Sequence, residues 1–187
     1  LIGVYNVSNV LAAISSALVI GIPIETIVNG LGTIQSVPGR LESIPGKKNI
    51  TVLVDYAHTP DALENVLSNL KELPHAKLIT VFGCGGDRDR AKRPLMAKAV
   101  SMYSDKVIVT SDNPRTEDPQ QILNDTVKGI PQSVNYQVIA DREEAIRKAI
   151  DLAQERDIVL IAGKGHETYQ ILKDKIIQFD DRKIARS

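Results

Sequence analysis

Sulfur and aromatic side chains are scarce in this sequence. A single cysteine, Cys84, in 187 residues excludes an internal disulfide framework. Tryptophan is absent and only two Phe and five Tyr occur, so aliphatic side chains must fill the core. Neither sign of charge is in excess, because 23 Lys and Arg balance 23 Asp and Glu. Nucleic-acid binders normally carry a basic excess or stripe, so no nucleic-acid partner is expected. No apolar run approaches the ~18 residues of a membrane span, and no secretory leader pattern opens the chain. These absences predict a cytoplasmic protein with no membrane partner. The sequence opens on Leu1 with a stretch unlike the rest, which predicts a segment cut from a longer protein.

What is present is organised in two parts. Residues 6–20 read as a helix capped by Asn6, with Val7, Val10, Leu11, Ile14 and Leu18 on one face and Gly21 at the exit. Residues 23–31 read as a second, opened by Pro23 and closed by Gly30 or Gly32. The run Ser36-Val37-Pro38-Gly39-Arg40 then punctuates the chain, giving units at 1–36 and 37–187. Beyond it, short β-branched runs recur at Thr51–Val54, Leu78–Phe82, Val107–Thr110, Gln137–Ile139 and Ile158–Ala162. They lack strict alternation, as strands of a parallel sheet buried on both faces do. Amphipathic helices fall between them at 60–73, 119–129 and 141–154, with Thr59, Asp118 and Asp141 as caps. Ile176–Phe179 reads as an edge strand, followed by a short helix. The predicted fold class is α/β: a Rossmann-like, mostly parallel sheet with helices on both faces, preceded by a short helical segment of the preceding domain.

The unusual polar residues follow the strands. Tyr56-Ala57-His58, Gly83-Cys84-Gly85-Gly86-Asp87-Arg88, Ser111-Asp112-Asn113-Pro114-Arg115 and Gly163-Lys164-Gly165-His166-Glu167 each leave a predicted parallel strand. Open α/β sheets bind ligands outside the carboxyl ends of their strands, so the four loops form one candidate site. Neither glycine-rich loop is a dinucleotide fingerprint or a P-loop. Arg88, Arg90, Lys92 and Arg93 crowd the start of a helix, where cations oppose the macrodipole unless an anion or acidic partners offset them. Arg115 can grip a carboxylate with two parallel bonds, and Asp112 and Glu167 can hold an ammonium group. Two arginines and two carboxylates describe a receptor for an amino-acid head group. Taken alone, Asp112-Asn113-Pro114 reads as an Asx turn. His58, His75, His166 and Cys84 match no common zinc spacing, so no metal ligand is expected from this chain.

Those runs, together with Val54-Asp55-Tyr56-Ala57-His58-Thr59-Pro60-Asp61, resemble the Mur ligases over essentially the whole chain. The likeness is to the type that adds meso-2,6-diaminopimelate to UDP-N-acetylmuramoyl-L-alanyl-D-glutamate in peptidoglycan precursor synthesis. It implies that residues 1–36 end a central ATP-binding domain and that 37–187 form the carboxyl-terminal, amino-acid-binding domain. The P-loop, most Mg2+ ligands and the first two domains would lie upstream, so this segment alone is expected to be inactive. Residue by residue, the resemblance implies ATP contacts from Asn9, Arg40, Asp55 and His58. It implies a diaminopimelate pocket from Arg88, Asp112, Asn113, Pro114, Arg115, Gly163 and Glu167. The implied chemistry is amide formation through an acyl phosphate, with ATP and Mg2+ required and the general base unassigned. A lysine-adding or folylpolyglutamate-type ligase and a non-catalytic amino-acid-binding domain are the alternatives. Arg115 speaks against lysine, which lacks the second carboxylate that a guanidinium would read.

Overall fold

The computed structural model describes residues 4–34, 36–46 and 49–187. The chain forms two compact units, Leu1–Val37 and Pro38–Ser187. The first holds α1 (Val4–Val19) and α2 (Ile24–Thr33). Helix α1 already includes Asn6, so that residue lies within the helix and does not cap it. Its exit is a glycine stop, with Gly21 at φ +81°. The Gly21 and Ile22 amides there donate back to Leu18 O and Ala17 O, each at 3.0 Å. Helix α2 follows Pro23 but runs through both Gly30 and Gly32 to Thr33, so neither glycine ends it. The predicted inner face of α1 stays open, with Val7 and Leu11 each 58% exposed.

The second unit is built on a six-stranded sheet. Its strands are β1 (Glu42–Ile44), β2 (Thr51–Asp55), β3 (Leu78–Cys84), β4 (Lys106–Ser111), β5 (Tyr136–Val138) and β6 (Ile158–Ala162), in the order β1-β2-β6-β3-β4-β5. All pairings are parallel except β1 with β2. All seven residues of β3 are buried, which is why its sequence shows no alternation. Helices α3 (Pro60–Lys71), α4 (Lys92–Tyr103) and α5 (Pro119–Val127) carry the chain stepwise from β2 to β5. Helix α6 (Arg142–Leu152) returns it to β6 in the opposite direction. Right-handed crossovers therefore put α6 on the other face. There Ala145, Ile146 and Ala149 pack with Val52, Val81, Ile108, Val159 and Ile161. Ala185 of the last helix, α7 (Asp181–Arg186), joins them. The mostly parallel α/β sheet with helices on both faces is the architecture the sequence predicts. Among the described residues no helix is long and apolar enough to cross a membrane.

Two strands differ from expectation. The antiparallel edge strand β1 is three residues long, too short to show a period in the sequence. Its Glu42 faces Arg182 and Arg186 of α7, each at 3.7 Å. The segment predicted at Ile176–Phe179 does not join the main sheet. As β8 (Ile176–Gln178) it pairs antiparallel with β7 (Tyr169–Ile171) in a separate hairpin. The hairpin is drawn away by backbone and side-chain bonds to residues 112–115, described below.

The caps form as the sequence indicates. Thr59 Oγ1 accepts from Ala62 N, Asp118 Oδ1 from Gln120 N, and Asp141 Oδ1 from Glu144 N at 2.8 Å. Asp141→Ala should therefore cost about 1 kcal/mol. A lowered urea midpoint at unchanged slope checks it, and an unchanged midpoint would mean water caps α6 equally well.

Candidate functional site

At the carboxyl ends of β3, β4 and β6 the loops enclose a cleft of about 360 Å³. It is lined by Arg88, Asp112, Asn113, Arg115, Gly163 and Glu167, and by His58 from the loop after β2. Pro114 is buried beside it and lines a neighbouring depression instead.

The loop at 112–115 is held from three sides. Asp112 Oδ1 accepts from the next amide, Asn113 N, at 2.6 Å; this is not an Asx turn, because the residue two positions on is Pro114, which has no N–H to donate. The β7–β8 hairpin grips the far side: Gln170 Nε2 donates to Asp112 O at 2.6 Å, Ile171 N to Asn113 Oδ1 at 2.9 Å, and Arg115 N to Ile171 O at 3.1 Å. Arg115 takes φ +53°, a left-handed conformation. Its Nη1 donates to Gly86 O at 2.8 Å and Asn113 O at 3.3 Å. Among the described residues no carboxylate is in ion-pair range of its guanidinium. Arg88 is exposed, and among the described residues its guanidinium donates to Asp87 O at 3.3 Å.

Lys164 carries a role that the sequence does not reveal. Its side chain is buried, and Nζ donates to Glu167 Oε2 at 2.9 Å and Asn113 Oδ1 at 3.1 Å. Asn113 Nδ2 completes the triangle to Glu167 Oε2 at 3.0 Å. Burial alone would raise the Glu167 carboxyl pKa, but the bonds from Lys164 and Asn113 outweigh it and hold the group below its ordinary value of 4.5. A depressed carboxyl stabilises the fold at neutral pH and loses that contribution as pH falls below 4.5 through the folded pKa. Glu167→Gln should therefore flatten the acid limb of stability against pH, read as urea midpoints from about pH 6 down to about pH 3. Parallel limbs would show that Glu167 titrates alike folded and unfolded.

The other basic residues divide. Arg93 is buried and pairs with Glu117 at 2.7 Å and Asp125 at 3.2 Å, and Arg90 pairs with Glu117 at 3.0 Å. These two tie α4 to α5 and its leading loop. Arg88, Lys92 and Arg93 all line the cleft, but the Arg93 cation is taken by Glu117 and Asp125. Cys84 also lines the cleft, but burial pushes its thiol up to about 11, so it stays protonated at neutral pH.

The residues expected to meet ATP do not share this cleft, His58 apart. His58 Nδ1 lies 2.7 Å from Tyr56 O, and its ring meets Tyr56 edge-on at 4.5 Å. The Arg40 guanidinium lies over the Tyr56 ring, 5.1 Å from its centroid, and the His166 ring is 5.3 Å from that same ring. The Arg40 loop touches the 163–167 loop backbone to backbone. A Cβ on Gly39 would fall 2.1 Å from His166 N, so only glycine fits. Asp55 is buried, with one carboxylate oxygen accepting from Leu41 N at 2.7 Å and the other from Ala57 N at 2.8 Å. It anchors the chain entering β1 as much as it faces any ligand. Asn9 belongs to the first unit, where Nδ2 donates to Asn6 Oδ1 at 3.3 Å. Among the described residues no three His, Cys, Asp or Glu groups converge as a metal site, so no step is assigned to a metal here.

Fold and cleft together define an α/β domain with a cleft lined by both basic and acidic side chains at the carboxyl edge of a parallel sheet. The sequence pattern of the Mur ligase, glutamate ligase domain, matches residues 39–165, and the chain belongs to the Mur ligases. A curated relative from Geobacillus kaustophilus (strain HTA426), a UDP-N-acetylmuramoyl-L-alanyl-D-glutamate–2,6-diaminopimelate ligase, is 53% identical over 188 residues. That match covers 100% of this chain but 38% of the relative, so the chain spans well under half the length of the proteins it matches. A solved structure of a ligase of the same name superposes with a TM-score of 0.78 at 46% identity, over 99% of this chain and 38% of that one. The folylpolyglutamate synthase of Thermotoga maritima shares the fold, with a TM-score of 0.64 at 24% identity over 86% of this chain and 36% of that one.

Proposed function

We propose that this chain is the carboxyl-terminal part of an ATP-dependent, amide-forming ligase. The ligase adds meso-2,6-diaminopimelate to UDP-N-acetylmuramoyl-L-alanyl-D-glutamate. Residues 1–36 are the last helices of its central domain and 37–187 its amino-acid-binding domain. The observation that carries this reading is the charge pattern of the cleft. Among the described residues no carboxylate lies within ion-pair distance of Arg115 or Arg88, which Asp87 and Glu167 attract only at longer range, and Asp112 and Glu167 share the same walls. Diaminopimelate presents two carboxylates and two amino groups, and it complements such a site better than lysine does.

In the reaction, ATP phosphorylates the D-glutamate side-chain carboxylate, the diaminopimelate amine attacks the acyl phosphate, and phosphate leaves. This domain contributes positioning and charge neutralisation. Arg115 holds a carboxylate with the part of its fork not bound to backbone. Asp112 and Glu167, the latter fixed by Lys164 and Asn113, present acceptors to an amino group. Asn9, Arg40, Asp55 and His58 complete the ATP site, and Mg2+ is held mainly by residues upstream. Phosphate release by the full-length protein, with ATP, Mg2+ and the UDP-muramoyl dipeptide, tests the reading. Strong preference for meso-diaminopimelate over L-lysine is expected. Preference for lysine overturns the assignment of Arg115, and no release with either overturns the ligase.

A further inference from the structure

Directly beneath the cleft lies an ion pair that the proposed reaction does not use. Arg142, the first residue of α6, and Asp181, the first of α7, both have fully buried side chains. Nε donates to Asp181 Oδ1 at 2.9 Å and Nη2 to Oδ2 at 2.7 Å, a bidentate fork. A cation at a helix start opposes the macrodipole, and a buried pair seldom stabilises more than an apolar pair of similar volume. Stability alone therefore does not account for it.

The remaining donors of the guanidinium point to another role. Nη2 also donates to Ala162 O at 3.0 Å, and Nη1 to Ser111 O at 3.4 Å. Those carbonyls belong to the last residues of β6 and β4. Each lies in the peptide that leads into a site residue, Ala162–Gly163 and Ser111–Asp112. The first of these peptides is clamped on its other side too, because Gly163 N donates to Asp55 O at 3.0 Å. The two loops are in turn close, since a Cβ on Gly163 would fall 2.9 Å from Asp112 Oδ2. A small rotation of either peptide would move both cleft walls together.

We propose that Arg142 and Asp181 are positioning residues for the amino-acid pocket: one guanidinium, oriented by Asp181 from the last helix, sets the two peptide planes from which Asp112 and Gly163 enter the cleft. The inference rests on the assignment of the cleft to diaminopimelate. It makes α7, which does not line the cleft, a determinant of amino-acid affinity through Asp181.

The test is made in the full-length protein with the double variant R142M/D181N, which removes both charges and nearly keeps the volume. Its KM for meso-diaminopimelate should rise about tenfold or more. The KM for ATP and the thermal midpoint should stay near those of the wild type. R142K, which keeps the charge but loses the fork, should raise the same KM by a smaller factor, and it decides the matter if the double variant does not fold. A double variant, or failing that R142K, with wild-type KM for the amino acid overturns the proposal. So does a parallel rise in both KM values, which would mark a merely structural pair. A wild-type protein that does not use diaminopimelate overturns the reading of the cleft instead, and this inference with it.

Discussion

Arg115→Ala in the full-length protein should raise the KM for meso-diaminopimelate about 30- to 150-fold, equivalent to ~2–3 kcal/mol, and leave the KM for ATP unchanged. The magnitude is that of a charge-assisted, two-pronged hydrogen bond between guanidinium and carboxylate. The substitution is a clean one. Alanine carries a Cβ as arginine does, so the cost of φ +53° is common to both, and only the rest of the side chain is removed. Part of the effect will come through positioning, since Nη1 ties Gly86 O to Asn113 O. Arg115→Lys separates the two contributions, because it restores the charge without the planar fork and should recover only part of the affinity. An unchanged KM in Arg115→Ala would mean that the distal carboxylate is read elsewhere, with Arg88 the next candidate.

The second large effect is expected at Gly86. A Cβ there would lie 1.9 Å from Pro114 O and 2.7 Å from Pro114 C, both backbone atoms with nowhere to rotate. The same residue is bonded to that loop twice, its N–H donating to Asn113 O at 2.9 Å and its carbonyl accepting from Arg115 Nη1 at 2.8 Å. Gly86→Ala must therefore push the loops after β3 and β4 apart. It should cost about 3 kcal/mol of stability, and amino-acid affinity with it. Gly85→Ala is the informative neighbour. Its nearest obstacle is Arg115 Nη1 at 2.8 Å, the far end of a flexible side chain. That variant should keep its urea midpoint while its KM for the amino acid rises. A Gly86→Ala protein as stable as the wild type would show that the two loops do not touch in solution.

Much of this arrangement is legible in the sequence because of one property of parallel sheets. Every site loop must leave the carboxyl end of a strand, so four apolar runs followed by His58, Arg88, Arg115 and Glu167 already imply one edge. The helix caps at Thr59, Asp118 and Asp141 are equally legible, since capping is a local matter between a side chain and an amide two or three residues away. The features that escape are those fixed by distant partners. Lys164 reads as a loop lysine, and only the positions of Asn113 and Glu167 make it a buried hub. Arg90 and Arg93 read as cations of a basic turn, with acidic neighbours or an anion as possible partners, but their partners are the more distant Glu117 and Asp125. Strand β8 is visible, yet its partner is not, because Gln170 and Ile171 bond to residues 112–115 and no periodicity in 169–178 encodes that. Asp181 and Arg142 are nearly forty residues apart and fall in unremarkable helix starts.

The strand order also governs when the domain can exist at all. Strands β2 and β3 are consecutive in the chain but do not pair; β6 lies between them, and Thr51 pairs with Ile158. Such a distant pairing makes folding slow, and at ribosomal speeds about 5–20 s separate the synthesis of β2 from that of β6. Until β6 is made, the native strand pairings open to the chain are β1-β2 and β3-β4-β5, each of which would leave an edge open to wrong partners. Gly163 and Glu167 follow β6 directly, so the strand that closes those edges is also the one that delivers the last wall of the cleft. A nascent chain of this domain therefore lacks a complete binding site until β6 and the hairpin that grips residues 112–115 are made: aggregation risk ends shortly before ligand recognition begins.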